Sequence, residues 1–253
     1  MALTRIRRMV LVGHENEGSA RLFDRVVEAY PDVEFLLVVG EGLYYKKSFL
    51  GSVIKLLREA SWSFAFHRFI ELTHFRLTQK TLTQRAKARG VRIIRTMDIN
   101  GDKTVAEMKA FAPDLLVSLY TMQLYRKPAL SVAKLGGITS HPSILPNYRG
   151  LEVFFWALAN EESETGVSVF FLEEKIDAGR VFRQRRIPIR PDTTVASLYR
   201  EVTDVAGELL VQAIADVDRD SITVIPQTGK GSYYRMPDRE CMRRFRATGR
   251  KFS

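Results

Sequence analysis

The chain has 253 residues, 45% of them hydrophobic and 27% charged, with a formal net charge of +10. That length suits one α/β domain with its own core and is short for two large domains, while the composition excludes disordered and collagen-like classes. A lone cysteine, Cys241, excludes an intramolecular disulfide framework. No run approaches the roughly 18 apolar residues of a membrane-spanning helix. The first eight residues, Met-Ala-Leu-Thr-Arg-Ile-Arg-Arg, lack the apolar core and cleavage site of a signal peptide, which points to the cytoplasm. The charge surplus lies between Lys46 and Arg95, with twelve Lys or Arg against Glu59 and Glu71. The tail from Arg235 to Lys251 adds seven against Asp238 and Glu240. Such stretches read first as solvated helix faces and second as surfaces for phosphates, nucleic acid or an anionic membrane.

In chain order, Met9 to Gly13 forms an apolar run that ends in glycine, and Leu22, Phe23, Val26 and Val27 then recur at helical spacing. Val33 to Val39 is a second continuous apolar strand, of the kind buried on both faces of a parallel sheet. Apolar residues at helical spacing from Ser48 to Arg89 predict one or two long helices, ended by Gly90, as an insertion at about 46–90 after the second strand. Strands follow at Val91 to Arg95, Asp114 to Tyr120 and Gly137 to Ser140, with a helix at Lys103 to Ala112 stopped by Pro113. The loop from His141 to Gly150 leads to a helix at Val153 to Asn160. Strands at Gly166 to Leu172 and Arg180 to Pro188 flank an Asp177-Ala178-Gly179 turn, and a long helix over Thr193 to Ala215 is capped by Asp192 or Thr193. The alternation predicts a doubly wound, mostly parallel, Rossmann-like sheet over residues 1–232, with ligands beyond the carboxyl ends of its strands. Residues 233–253 form a short basic appendage, packed on the domain or trailing from it.

Two segments carry chemistry. One is Thr139-Ser140-His141-Pro142-Ser143-Ile144-Leu145-Pro146-Asn147-Tyr148-Arg149-Gly150, and the other is Glu173-Glu174-Lys175-Ile176-Asp177-Ala178-Gly179. A His at a strand end with an Asp on a nearby turn is a candidate acid/base pair, in which the carboxylate orients the ring and compensates its charge. Chance alone often places such a pair. The ordered set His141, Pro142, Ser143, Leu145, Pro146, Tyr148 and Gly150, with Glu164 to Val167 and Asp177 to Gly179, resembles the signature of the folate-dependent formyltransferases. The resemblance covers roughly residues 113 to 188 well and the flanks loosely.

That resemblance implies a sheet of the formyltransferase type and a one-carbon transferase using 10-formyltetrahydrofolate. His141 would stabilise an oxyanion and shuttle the proton, with Asp177 orienting it. Met122, Gln123 and Leu124, with Glu174, Lys175 and Ile176, would bind the folate. Gly13, His14 and Asn16 follow the first strand where relatives hold the acceptor's phosphate; ordinary turn roles are equally open to them. With Tyr148, Arg149 and Gly150 they complete the expected acceptor side. Thr139 stands where the family has an Asn that donates to the oxyanion, unless a local shift brings in Ser140. Loss of one such donor can cost roughly 10²- to 10³-fold in rate. A working variant site, a slow enzyme and a relative without transfer all remain open.

The stretch after the last long helix is short beside the tRNA-gripping barrel of the methionyl-tRNA formyltransferases. The expected acceptor is therefore a small-molecule amine, with a phosphorylated or nucleotide-linked one among the options, tRNA disfavoured and peripheral contact with an anionic surface available to the basic insertion. The rivals are a hydrolase acting on the same folate and a non-catalytic binding protein. His67, Glu71 and His74 share a helix face but have no outside ligand in view, so no metal is expected. Cys241 reads as a bystander.

Overall fold

The computed structural model describes residues 3–41 and 61–253. Lys46, Lys47, Lys55 and Arg58 of the basic insertion lie outside them, as does the first part of its expected helix. Nine strands are described: β1 (Arg8–His14), β2 (Glu34–Gly40), β3 (Arg92–Thr96), β4 (Leu115–Leu119), β5 (Gly137–His141), β6 (Arg149–Gly150), β7 (Glu164–Phe171), β8 (Val181–Pro188) and β9 (Tyr233–Tyr234). The described helices are α1 (Glu17–Ala29), α2 (Trp62–Thr78), α3 (Leu82–Ala88), α4 (Asp102–Phe111), α5 (Lys127–Leu130), α6 (Val153–Ala159), α7 (Val195–Arg219) and α8 (Arg239–Ala247).

Seven strands make one sheet in the order β3-β2-β1-β4-β5-β7-β8. β1 pairs in parallel with β2 and β4, and β4 with β5, while β7 runs antiparallel to both β5 and β8. The continuous apolar runs of β1 and β2 feed two cores, because successive side chains leave a strand on opposite faces. Met9 and Leu11 join the larger core with Phe23 of α1 and Leu210 of α7. Val10 and Val12 join the smaller one with Val105, Met108 and Phe111 of α4. The expected doubly wound α/β fold is the observed one.

Four of the described helices, α1, α3, α7 and α8, start at a side-chain cap. Asn16 accepts from the Ser19 amide at the head of α1. α7 begins later than expected: Thr194, not Asp192 or Thr193, is its cap and forms a reciprocal pair with Ser197. Thr193 is buried, and its hydroxyl accepts from the Arg190 amide at 3.0 Å, which removes it from the capping role.

Much of the described basic stretch is matched within the domain. Arg68 pairs with Glu71 and Glu152, Arg85 with Asp24, Arg89 with Asp24 and Glu28, Arg92 with Glu107, and Arg95 with Glu41. His67 stacks on Phe252 at 3.7 Å, and no group of three or more potential metal ligands occurs among the described residues. None of the described helices is long and apolar enough to cross a membrane.

Of the two alternatives for the tail, packed or trailing, the structure shows packing. Asp238 caps α8 by accepting from the Cys241 amide, and Cys241, Met242 and Phe245 are buried. Phe245 lies 4.6 Å from Phe155 of α6 by ring centroids. Cys241 is fully buried, and burial pushes its thiol up to about 12, which leaves it inert and suited to packing.

Candidate active site

β5 ends at His141, which is 7% exposed. Its Nε2 lies 2.7 Å from the Tyr148 carbonyl, so that nitrogen carries a hydrogen and donates. Its Nδ1 faces Asp177 Oδ1 at 3.6 Å. The other carboxylate oxygen, Oδ2, accepts from the Gly150 amide at 2.8 Å. Asp177 itself sits in the left-handed region at φ 48°, with its carbonyl accepting from Arg149 Nε at 3.1 Å. His and Asp, far apart in sequence, are thus held together by the loop that connects β5 to α6.

Local chemistry fixes that loop. The Ser143 hydroxyl donates to the Asn147 carbonyl at 2.8 Å, and Ser168 Oγ of β7 donates to the Ser143 carbonyl at 2.6 Å while accepting from the Leu145 amide at 3.0 Å. Gly179 ends the Asp turn where a Cβ would fall 1.7 Å from the Phe171 carbonyl, so no other residue fits there.

Thr139 lies two residues before His141 and shares its face of β5. Its hydroxyl faces two backbone carbonyls, Ser118 at 3.3 Å and Ser140 at 3.4 Å. Ser140 points to the opposite face, beside the Tyr120 hydroxyl, so no register shift brings it into the place of Thr139.

Beside Asp177 a cleft of about 470 Å³ is lined by Leu124, Arg149, Glu174, Lys175 and Ile176 together with Lys230 to Tyr233. Four of the six residues expected to hold the folate therefore meet at one cavity. Met122 is packed against the large core instead. Gln123 is 3% exposed, with its amide spent on the Ile99 amide at 3.0 Å and the Met97 carbonyl at 3.2 Å. Its side chain braces the loop rather than facing the cleft.

Gly13, His14 and Asn16 stand at the carboxyl end of β1 but do not line the cleft. Asn16 is occupied as the α1 cap. His14 donates from Nδ1 to the Gly40 carbonyl at 2.7 Å, and its Nε2 faces the Thr121 hydroxyl at 3.0 Å. The ring ties the ends of β1, β2 and β4, and burial holds its pKa below the usual histidine value despite the Gly40 contact. Tyr148 turns its ring away to stack on Tyr234 at 4.7 Å and donates to Glu162 at 2.5 Å. Of the expected acceptor residues only Arg149 lines the cleft.

The sequence reading missed the contribution of the tail. Arg149 Nη2 donates to Gln227 at 2.8 Å, the Tyr148 amide donates to Ser232 Oγ at 2.8 Å, and β9 pairs with β6. The run Gly229-Lys230-Gly231-Ser232 before Tyr233 and Tyr234 is a turn-then-strand signal that could have revealed it.

A family model described as formyl transferase matches residues 76–214, more than half of the chain. The methionyl-tRNA formyltransferase of Levilactobacillus brevis is 34% identical over 151 residues, covering 60% of this chain and 48% of that one. The chain spans about half the length of such curated relatives. Glycinamide ribonucleotide transformylase 1 from Symbiobacterium toebii superposes with a TM-score of 0.61 at 16% identity, covering 92% of this chain and 95% of that one. The N-formyltransferase from Helicobacter canadensis, in complex with folinic acid and dTDP-3-aminofucose, does so with 0.59 at 17% identity, covering 91% and 71%. At such identities these two likenesses establish the fold.

The relatives overturn one expectation. Several are methionyl-tRNA formyltransferases, which contradicts a small-molecule acceptor with tRNA disfavoured. That expectation rested on where the chain ends, and the matched region is the part such enzymes share. With the motif loop, the Asp turn, the sheet order and the model match in agreement, the chain belongs to the formyl transferase family.

Proposed function

We propose that this protein transfers a formyl group from 10-formyltetrahydrofolate to an amine carried by an aminoacyl-tRNA. The observation that carries the transfer reading is the His141 to Asp177 contact, clasped by the Gly150 amide and tied to the cleft by Arg149, which lines the cleft and donates to the Asp177 carbonyl. The acceptor reading rests on the methionyl-tRNA formyltransferases among the relatives and on the net charge of +10, which suits a polyanionic partner.

The cleft fits the donor. Its volume lies in the range of roughly 300 to 1,000 Å³ typical of small-molecule sites, and Leu124 and Ile176 expose apolar surface, 52% and 39%, at its wall. Folinic acid in the Helicobacter canadensis neighbour supports a ligand of this class. When bound, the donor supplies the one-carbon unit at the formyl oxidation level. Leu124 and Ile176 cover its apolar faces, with Glu174 and Lys175 alongside. With Nε2–H held on the Tyr148 carbonyl, His141 accepts the proton released by the amine at Nδ1 and returns it from there to the leaving nitrogen, and Asp177, which faces Nδ1, orients the ring and compensates the imidazolium. Arg149 fixes the Asp turn through its bond to the Asp177 carbonyl.

The test is to mix the purified chain with 10-formyltetrahydrofolate and methionyl-tRNA, then measure tetrahydrofolate and formyl-methionine released by deacylation. Equal yields of the two, dependent on the charged tRNA, support the proposal. Formate release without any acceptor would mean hydrolysis, and no turnover with charged tRNA would reject the acceptor.

A further inference from the structure

The cleft has a wall that the motif residues do not build. Residues 225 to 236 return across the mouth of the site as a strap. It is pinned where backbone meets backbone: a Cβ on Gly231, φ 67°, would fall 2.3 Å from the Pro146 carbonyl, and one on Gly150, φ 105°, would fall 2.1 Å from the Tyr234 carbonyl. Neighbouring residues of a strand point in opposite directions. In β9, Tyr234 faces inward between Tyr148 and Trp156, with ring centroids at 4.7 and 4.8 Å. Tyr233 is thereby turned outward to the cleft, 54% exposed, with its ring edge over Gly150.

Charge adds a second observation. Arg149, Lys175 and Lys230 line the cleft against a single carboxylate, Glu174, which already accepts from the Lys127 amide at 2.9 Å. Among the described residues neither Lys175 nor Lys230 has an ion-pair partner. A cavity with exposed apolar side chains, an outward phenol ring and a surplus of cations suits a ligand with a flat aromatic body and a carboxylate tail.

We infer that the strap is half of the formyl-donor site: Tyr233 covers the aromatic body of the ligand and Lys230 binds its carboxylate tail, making both specificity-determining residues. The inference rests on the donor occupying this cleft. Lys230 and Tyr233 are exposed and outside the proton-handling pair, so their replacement leaves the fold intact.

Calorimetric titration with 5-formyltetrahydrofolate, and with a 6-hydroxymethyl-tetrahydropterin fragment that lacks carboxylates, tests it. Lys230→Glu is expected to raise the Kd for 5-formyltetrahydrofolate about 10-fold at low salt, with the effect shrinking at high salt, and to leave the fragment within about twofold. Tyr233→Ala is expected to raise the Kd for 5-formyltetrahydrofolate about 5- to 10-fold by loss of ring contact. If the unaltered protein binds 5-formyltetrahydrofolate and both variants bind it equally well, the strap has no part in the site and the donor reading survives. If the unaltered protein does not bind it at millimolar concentration, the donor reading falls and this inference with it.

Discussion

Gly150 and Asp177 are joined by a 2.8 Å bond from the Gly150 amide to Asp177 Oδ2, so the loop that receives the His141 Nε2 hydrogen also aims the carboxylate at His141 Nδ1. Replacing Asp177 by Asn keeps the size but removes the charge that compensates an imidazolium. Asp177→Asn should lower kcat/KM for formyl transfer by about 10²- to 10⁴-fold, with a thermal midpoint near that of the unaltered protein. A loss of less than threefold would remove Asp177 from the mechanism.

Thr139 occupies the position of an expected oxyanion donor, yet its hydroxyl faces the Ser118 and Ser140 carbonyls at 3.3 and 3.4 Å. A hydrogen directed to a carbonyl is not available to a developing oxyanion. Thr139→Val, of nearly the same shape, should therefore slow single-turnover transfer by less than about fivefold. A fall of about 10²-fold or more would show that the hydroxyl swings to the reacting group and acts as a donor.

His14 offers a pH test independent of activity. Its neutral ring is fully partnered, with Nδ1–H on the Gly40 carbonyl and Nε2 facing the Thr121 hydroxyl. Burial, the larger cause, lowers the pKa below 6.5 against the opposing pull of Gly40. The unfolded state then takes up the proton first. This group's stabilisation is complete above about pH 6.5, declines as pH falls from there towards the folded pKa, and changes no further below it. Urea midpoints at pH 7.5 and 5.5 should fall more for the unaltered protein than for His14→Gln. Equal falls would show that His14 is not the responsible group.

How much of this was legible in the sequence follows from what encodes each part. The buried strands were plain because continuous apolar runs such as Phe35 to Val39 have few other uses. The pairing of His141 with Asp177 was legible from the motif resemblance, since both segments are local signatures that a sheet brings together. The strap was not, because the turn signal around Gly231 marks a turn and a short strand but not the partner they meet, and its placement depends on glycines at 150 and 231, far apart in sequence, that let two backbones touch. The side-chain directions of Gln123 and Tyr148 were not legible for a related reason. Motif position located them near the site but carried no information on which way their side chains turn.

Gly150 deserves the final test because it joins the clasp to the strap. Its φ of 105° is open to few residues other than glycine, and a Cβ there would stand 2.1 Å from the Tyr234 carbonyl. Alanine can be accommodated only if β9 moves off β6, which also disturbs the amide that holds Asp177. Gly150→Ala should cost about 2 to 4 kcal/mol in urea unfolding through strain and displacement. The movement has a local reporter, because Trp156 donates to the Arg235 carbonyl at 2.8 Å and packs against Tyr234. In a Trp62→Phe background, which leaves Trp156 as the only tryptophan, the substitution should shift its emission to the red under native conditions. An unchanged spectrum with an unchanged midpoint would mean that the loop absorbs the methyl group without moving the strap.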